Sequence, residues 1–303
     1  MRSFTLKKGF VPKPRDHFHD RFSLTRTFGA ASADLPARFS VEDARGDVNG
    51  PQQQLENFCT ACTQAEMAAD QWGVAMSMKF SALAISLVNH SPIYSSGASI
   101  DDGMKSGRVY GYLPLSLEPQ NIQDMGAGDE AKICDPSNWP SSVYAAALKY
   151  QIAGGDFYVD GPYDAFDNYR AAIYQHRPDN GIAVGLPWYS LFNQTPETGI
   201  ARAPSGGFAW HDVDMKGWET INGVLYIKIR SWDIDSGADT YFYFSRSIWN
   251  KLMAVQGSVG KMFKPVDAVL ADQLKNTRAS LAEQLMNLYY QVSFKLAQIG
   301  SNK

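Results

Sequence analysis

The feature that most constrains this chain of 303 residues is a change, partway along, in the period at which its apolar residues recur. In the first half Ala61, Ala65, Ala68, Ala69 and Trp72 return at three- and four-residue steps. They therefore share one side of a helix, and the small side chains of the alanines let that helix be buried deeply. Helical spacing also predicts helices over 80–88 and 99–105, the second opened by Ser99, Asp101 and Asp102 as cap residues. In the second half, Val224 to Trp232 alternates apolar and polar residues, as a half-exposed strand does. The run from Gly181 to Trp188 reads as a buried strand and 241–244 as a third. Helices followed by strands make an α+β arrangement, with a cleft expected between the two parts. Pro119, Gly126, Gly128, Pro136 and Pro140 place a linker over 118–142 and a lobe boundary near residue 140.

The flanks read differently. Residues 1–45 are rich in Pro, Gly and charge and read as an extended arm on the main body. Leu270, Leu274, Leu281, Leu285, Leu288, Val292 and Ile299 predict a long C-terminal helix with a narrow apolar seam. That seam packs either on its own domain or on a second copy or assembly partner.

A chain that is 45% hydrophobic and 19% charged can bury a full core without staples. The formal net charge of -3 argues against nucleic acid or an anionic membrane as partner. With no apolar run of signal-peptide or membrane-spanning length, the expected location is the cytoplasm or a particle. Cys59, Cys62 and Cys134 are too sparse and odd a set for a disulfide framework, so reduced thiols are expected.

The densest chemistry lies at 52–62. Gln53 stands six positions before Cys59, and Cys59 falls in the first turn of the predicted helix. Unpaired N–H groups at a helix start favour thiolate over thiol and, with an amide donor such as Gln53, can hold an oxyanion. Cys59 and Cys62 also have the C-x-x-C spacing of redox proteins, but Cys62 reads as a buried helix residue and no strand–turn pattern precedes it. His17 and His19 form an H-x-H pair with no third ligand at suitable spacing, so no metal is expected.

The segment from Gln53 to Ala61 resembles the nucleophile motif of papain-like cysteine peptidases, whose bacterial branch ends it in Cys-Thr-Ala as here. Three further stretches are similar to that branch: the one from Gly9 to Asp16, the one from Leu35 to Ser40, and Gly97-Ala-Ser-Ile-Asp-Asp-Gly-Met-Lys105. His211, with Gly217 and Trp218 behind it, matches the strand that carries the family's base, and Arg230-Ser231-Trp232 the core of its Asn-Ser-Trp motif. The resemblance implies a two-lobe fold, with a helical lobe at about 46–140 and an antiparallel β-rich lobe at about 141–258. The arm 1–45 would precede it and a C-terminal helix, 259–303, would follow.

It also implies peptide-bond hydrolysis through an acyl-thioester on a peptide or protein substrate, with no cofactor. Cys59 would attack, His211 shuttle the proton, and Gln53 hold the oxyanion. Some positions depart from the pattern. Arg230 replaces the asparagine that orients the imidazole, leaving Asp212, Asp214 and Asp233 as candidates for that task. Asn57 and Phe58 replace a glycine and a serine before the nucleophile. Aligning Gly206-Gly207 with the family's Gly-Gly-His would put Phe208 at the base position, whereas His211 keeps Gly217 and Trp218 in register. Two functions follow: a thiol peptidase, or a papain-like fold kept as an inactive structural or binding component of a larger assembly such as a phage particle.

Overall fold

The computed structural model describes residues 11, 21–22, 35–50, 54–152, 156–159, 164–175, 181–190, 192, 198–232 and 240–263. Most of the arm, His17, His19, Gln53, His176, Asp233 and the segment 264–303 lie outside the described residues.

Helix α1, Cys59–Trp72, forms at the small-residue repeat and ends at Gly73, whose left-handed backbone (φ 63°) closes the last turn. Helix α2, Met78–Asn89, starts at Ser77, whose hydroxyl accepts from the Phe80 N–H. Helix α3, Ile100–Val109, opens with a reciprocal capping box between Ser99 and Asp102. Gly103 lets α3 lie against α1, because a Cβ there would meet the Gln64 side chain at 2.7 Å. The expected linker, 118–142, is instead part of the helical core. Its prolines and glycines punctuate short helical turns, which bury Ile122, Ile133, Trp139 and Val143 beside α1 and α2.

The strands are β1 (Arg21–Phe22), β2 (Phe39–Ser40), β3 (Asp156–Val159), β4 (Ile182–Tyr189), β5 (Phe208–Ile221), β6 (Val224–Ser231), β7 (Thr240–Ser245) and β8 (Val259–Phe263). They form one sheet in the order β1-β3-β8-β4-β5-β6-β7, with β2 pairing on β5. All the pairs are antiparallel except β1 with β3. The sheet extends past residue 258, since β8 is buried along its whole length between β3 and β4. The expected C-terminal helix therefore cannot begin at 259, and 264–303 is not described. Helices α4 (Ala165–Gln175) and α5 (Arg246–Met253) cover one face with Phe166, Tyr169, Trp249 and Leu252.

Two cores result, one among α1, α2 and α3 and one between the sheet and α4 with α5. Strand β5 is the wall between them. Residues 211–218 are buried without a break, so both of its faces are covered. The strand period of two sends Val213 and Met215 into the sheet core, whereas Trp210 packs against the helical core. Gly217 interrupts this alternation at a register shift after Met215. Its φ of +149° and the approach of the Phe39 carbonyl, 2.0 Å from where a Cβ would stand, admit only glycine. That is the structural reason for the glycine–aromatic pair: Gly217 receives β2, and Trp218 donates from its indole N–H to the Pro36 carbonyl at 2.8 Å.

Candidate functional site

Cys59 begins α1 and is fully buried. The residues before it are shaped by the turn. Asn57 takes the left-handed conformation (φ 61°) that glycine adopts most easily, one that asparagine tolerates better than most residues, and its amide donates to the Tyr94 carbonyl at 2.5 Å. Phe58, at the cap position, is fully buried and makes no side-chain cap bond. All three cysteines are buried thiols, and Cys62 points its sulfur at Met78 Sδ inside the helical core.

His211 belongs to the other side of β5. Its Nε2 lies 3.0 Å from Ser231 Oγ on β6, and its ring meets Trp188 edge to face at 5.1 Å. Trp188 is a member of the sheet core, so the imidazole shares the face of Val213 and Met215. Burial pushes the His211 pKa down to about 3, so the ring is neutral at physiological pH. Its Nδ1 has no hydrogen-bond partner among the described residues.

Asp212, one residue on, takes the opposite face and sits beside Thr60, the second residue of α1. Burial drives its carboxyl well above the usual range, although the Thr60 hydroxyl and a backbone N–H favour the anion. Thr60 directs its own proton to the Ala98 carbonyl at 3.2 Å, and neither Asp212 oxygen makes a bond of good geometry among the described residues. A neutral carboxylic acid, able to donate, is the species this setting favours. Neither Asp212 nor Asp214 shares a face with His211, so neither can orient its ring. Ser231 occupies that place instead.

Arg230 likewise turns from the imidazole. It is fully buried and grips Asp47 with both nitrogens at 2.7 and 3.1 Å, Glu66 at 2.5 Å and the Gly50 carbonyl at 3.0 Å. Next to it, the Lys216 ammonium contacts Glu66 at 2.6 Å, Asp70 at 2.6 Å and Asp214 at 2.9 Å. Burial alone would lower the lysine pKa, but Asp214, Asp70 and Glu66 hold it well above the usual value. This network fills the contact between α1 and the strands behind it. Sequence reasoning missed it; an Asp-x-Asp-x-Lys alternation carries the same pattern as a solvent-facing strand edge.

Phe208, at the start of β5, is 42% exposed and stacks with Tyr189 and Trp210 at 5.3 and 5.6 Å. The alternation places Phe208, Trp210 and Asp212 on the α1 side. Among the described residues the histidines are His211 and His90, the latter ending α2 in a left-handed turn.

Helices packed on an antiparallel sheet, with a cysteine opening the central helix, define a papain-like cysteine protease fold. Xylellain, a cysteine protease from Xylella fastidiosa, matches with a TM-score of 0.63 at 17% identity, over 88% of this chain and 100% of its own. Procathepsin B S9 from Trypanosoma congolense matches with a TM-score of 0.56 at 16% identity, over 86% of this chain and 87% of that one. Bromelain from Ananas comosus, solved with the inhibitor E64, has a TM-score of 0.50 at 15% identity, over 77% of this chain and all of its own. No family model and no curated protein matches the chain.

Proposed function

We propose that this protein is a papain-fold binding or structural component of a larger assembly, and that Cys59 and His211 do not act as a peptidase pair. The observation that speaks against a peptidase pair is the alternation of β5. It gives His211 to the sheet core, where the ring is neutral and held by Ser231, and gives Asp212 to the Cys59 side. A thiol peptidase needs an imidazole within reach of the sulfur to take and return the proton. A neutral carboxyl beside the helix start offers a donor and no base. The self-association expected of the C-terminal segment belongs to the same proposal.

The peptidase reading keeps one supporting observation: Cys59 opens the central helix, the position that the resemblance gives the nucleophile. An epoxide that alkylates papain-like thiolates separates the two, with intact mass as the readout and bromelain as the positive control. The proposal expects no adduct on the native chain. An adduct confined to Cys59, formed more slowly in His211→Gln, would establish the peptidase instead.

A further inference from the structure

A groove of about 700 Å³ opens on the helical half, between the chain that leads into α1, the first turn of α2 and the segment 115–126. Leu55, Met78, Leu115 and Met125 make its lining mostly apolar, and its charged residues are Lys79 and Glu118. Hydrogen bonds fix its walls. The Leu115 N–H donates to the Ala75 carbonyl at 2.7 Å, and Gln123 Nε2 to the Glu118 carbonyl at 2.6 Å. Lys79 Nζ donates to the carbonyls of Ile122 and Gln123 at 2.7 and 3.0 Å. A preformed, mostly apolar concavity of this size with a few placed polar groups is what a small-molecule site requires.

Glu118 sets the chemistry of the ligand. Its side chain is 3% exposed, and one oxygen accepts from the hydroxyl of Ser77, the cap of α2. The other oxygen, Oε1, lies 3.6 Å from Lys79 Nζ, beyond hydrogen-bond length, because the ammonium is drawn to the two carbonyls. Oε1 therefore keeps a lone pair for a donor, and a carboxylate oxygen so nearly buried gains from a partner that brings one. A cation does not suit the place, since Lys79 already balances the carboxylate and repels a second positive charge. An uncharged hydroxyl or N–H on an apolar body does suit it. The half-buried Met125 favours a ring as that body, because a thioether makes good contacts with ring edges.

We propose that this groove binds an uncharged aromatic compound with one hydrogen-bond donor, a phenol or an indole, its donor on Glu118 Oε1 and its ring among Leu55, Leu115 and Met125. The site uses neither Cys59 nor His211, so it stands whether or not the chain is a peptidase.

Titration of the full chain with para-cresol and with toluene, followed by the methionine methyl resonances, tests the site. Burial raises the Glu118 pKa while the Ser77 hydroxyl and Lys79 favour the anion, so mildly alkaline buffer keeps the acceptor ionised. Para-cresol should shift the Met125 methyl, assigned through Met125→Leu, and should bind about tenfold more tightly than toluene, the gain from a hydrogen bond to a carboxylate. Para-methylbenzylamine should bind no better than toluene. In Glu118→Gln, with the amide oxygen taken by Ser77 and the amide nitrogen turned to the groove, para-cresol should lose its advantage. If that variant does not fold, para-methylanisole, which has the oxygen without its proton, takes its place and should bind no better than toluene. Equal binding of para-cresol and toluene, tighter binding of the amine than of the phenol, or a Met125 methyl that para-cresol leaves unmoved would each overturn the proposal.

Discussion

Replacing Lys216 with methionine should be among the most damaging single changes in this protein, and its cost should depend on pH. The ammonium is fully buried and lies within 2.9 Å of three carboxyl groups. Methionine approximates the length of the stem but leaves those acids with Arg230 as their only close cation among the described residues. Removing one partner from a buried ion pair costs about 3–5 kcal/mol. Against a typical total of about 5–15 kcal/mol this is a large share, and in a chain of this size it lowers the melting temperature by roughly 6–20 °C. The variant can recover part of the loss by binding one more proton in place of the lost charge. That remedy grows easier by about 1.4 kcal/mol for each unit the pH falls towards the ordinary carboxylate value. The deficit at pH 7.5 should therefore shrink by roughly 3 kcal/mol at pH 5. Urea unfolding of both proteins at the two pH values, followed by tryptophan fluorescence, measures this directly. A deficit below about 1 kcal/mol at pH 7.5, or one equal at both pH values, would refute the reasoning.

Gly217→Ala should destabilise by about 3 kcal/mol, because the new methyl group strains the backbone and collides with the Phe39 carbonyl. Thermal unfolding checks it, and a shift of less than 1 °C would show that β2 is not held at this bulge. Removing residues 264–303 should convert a self-associated full chain to a monomer in sedimentation; a full chain that is already monomeric removes the assembly role.

The fold was largely legible because its signals are local. The small-residue steps of α1, the Ser99–Asp102 cap and the alternation over 224–232 each depend on neighbours a few positions away. The segment 118–142 misled because prolines and glycines mark turns, whether those turns join lobes or fold back on a core. The site was less legible. The spacing from His211 to Gly217 and Trp218 is real, but a strand shows opposite faces at successive residues, so one position decides whether a side chain meets α1 or the sheet core. Nothing in the spacing sets that choice. The shift at Met215–Gly217 is invisible to pattern, and the buried charges are legible only once Glu66 and Asp70 are known to face Asp214 and Lys216. Arg230 matched the position of an orienting asparagine in sequence, yet its guanidinium serves the ion network, and the next residue, Ser231, meets the imidazole.

The protonation state of His211 tests the central claim most directly. An imidazole paired with a reactive thiolate carries a proton, with a pKa raised by its anionic partner. Burial of His211 leads to the opposite, a neutral ring with a pKa of about 3. Nitrogen-15 shifts of histidine-labelled protein, assigned through His211→Gln, should show His211 as a single neutral tautomer that does not titrate between pH 5 and 8. An imidazolium at neutral pH that loses its charge in Cys59→Ser would contradict the account and restore the peptidase pair.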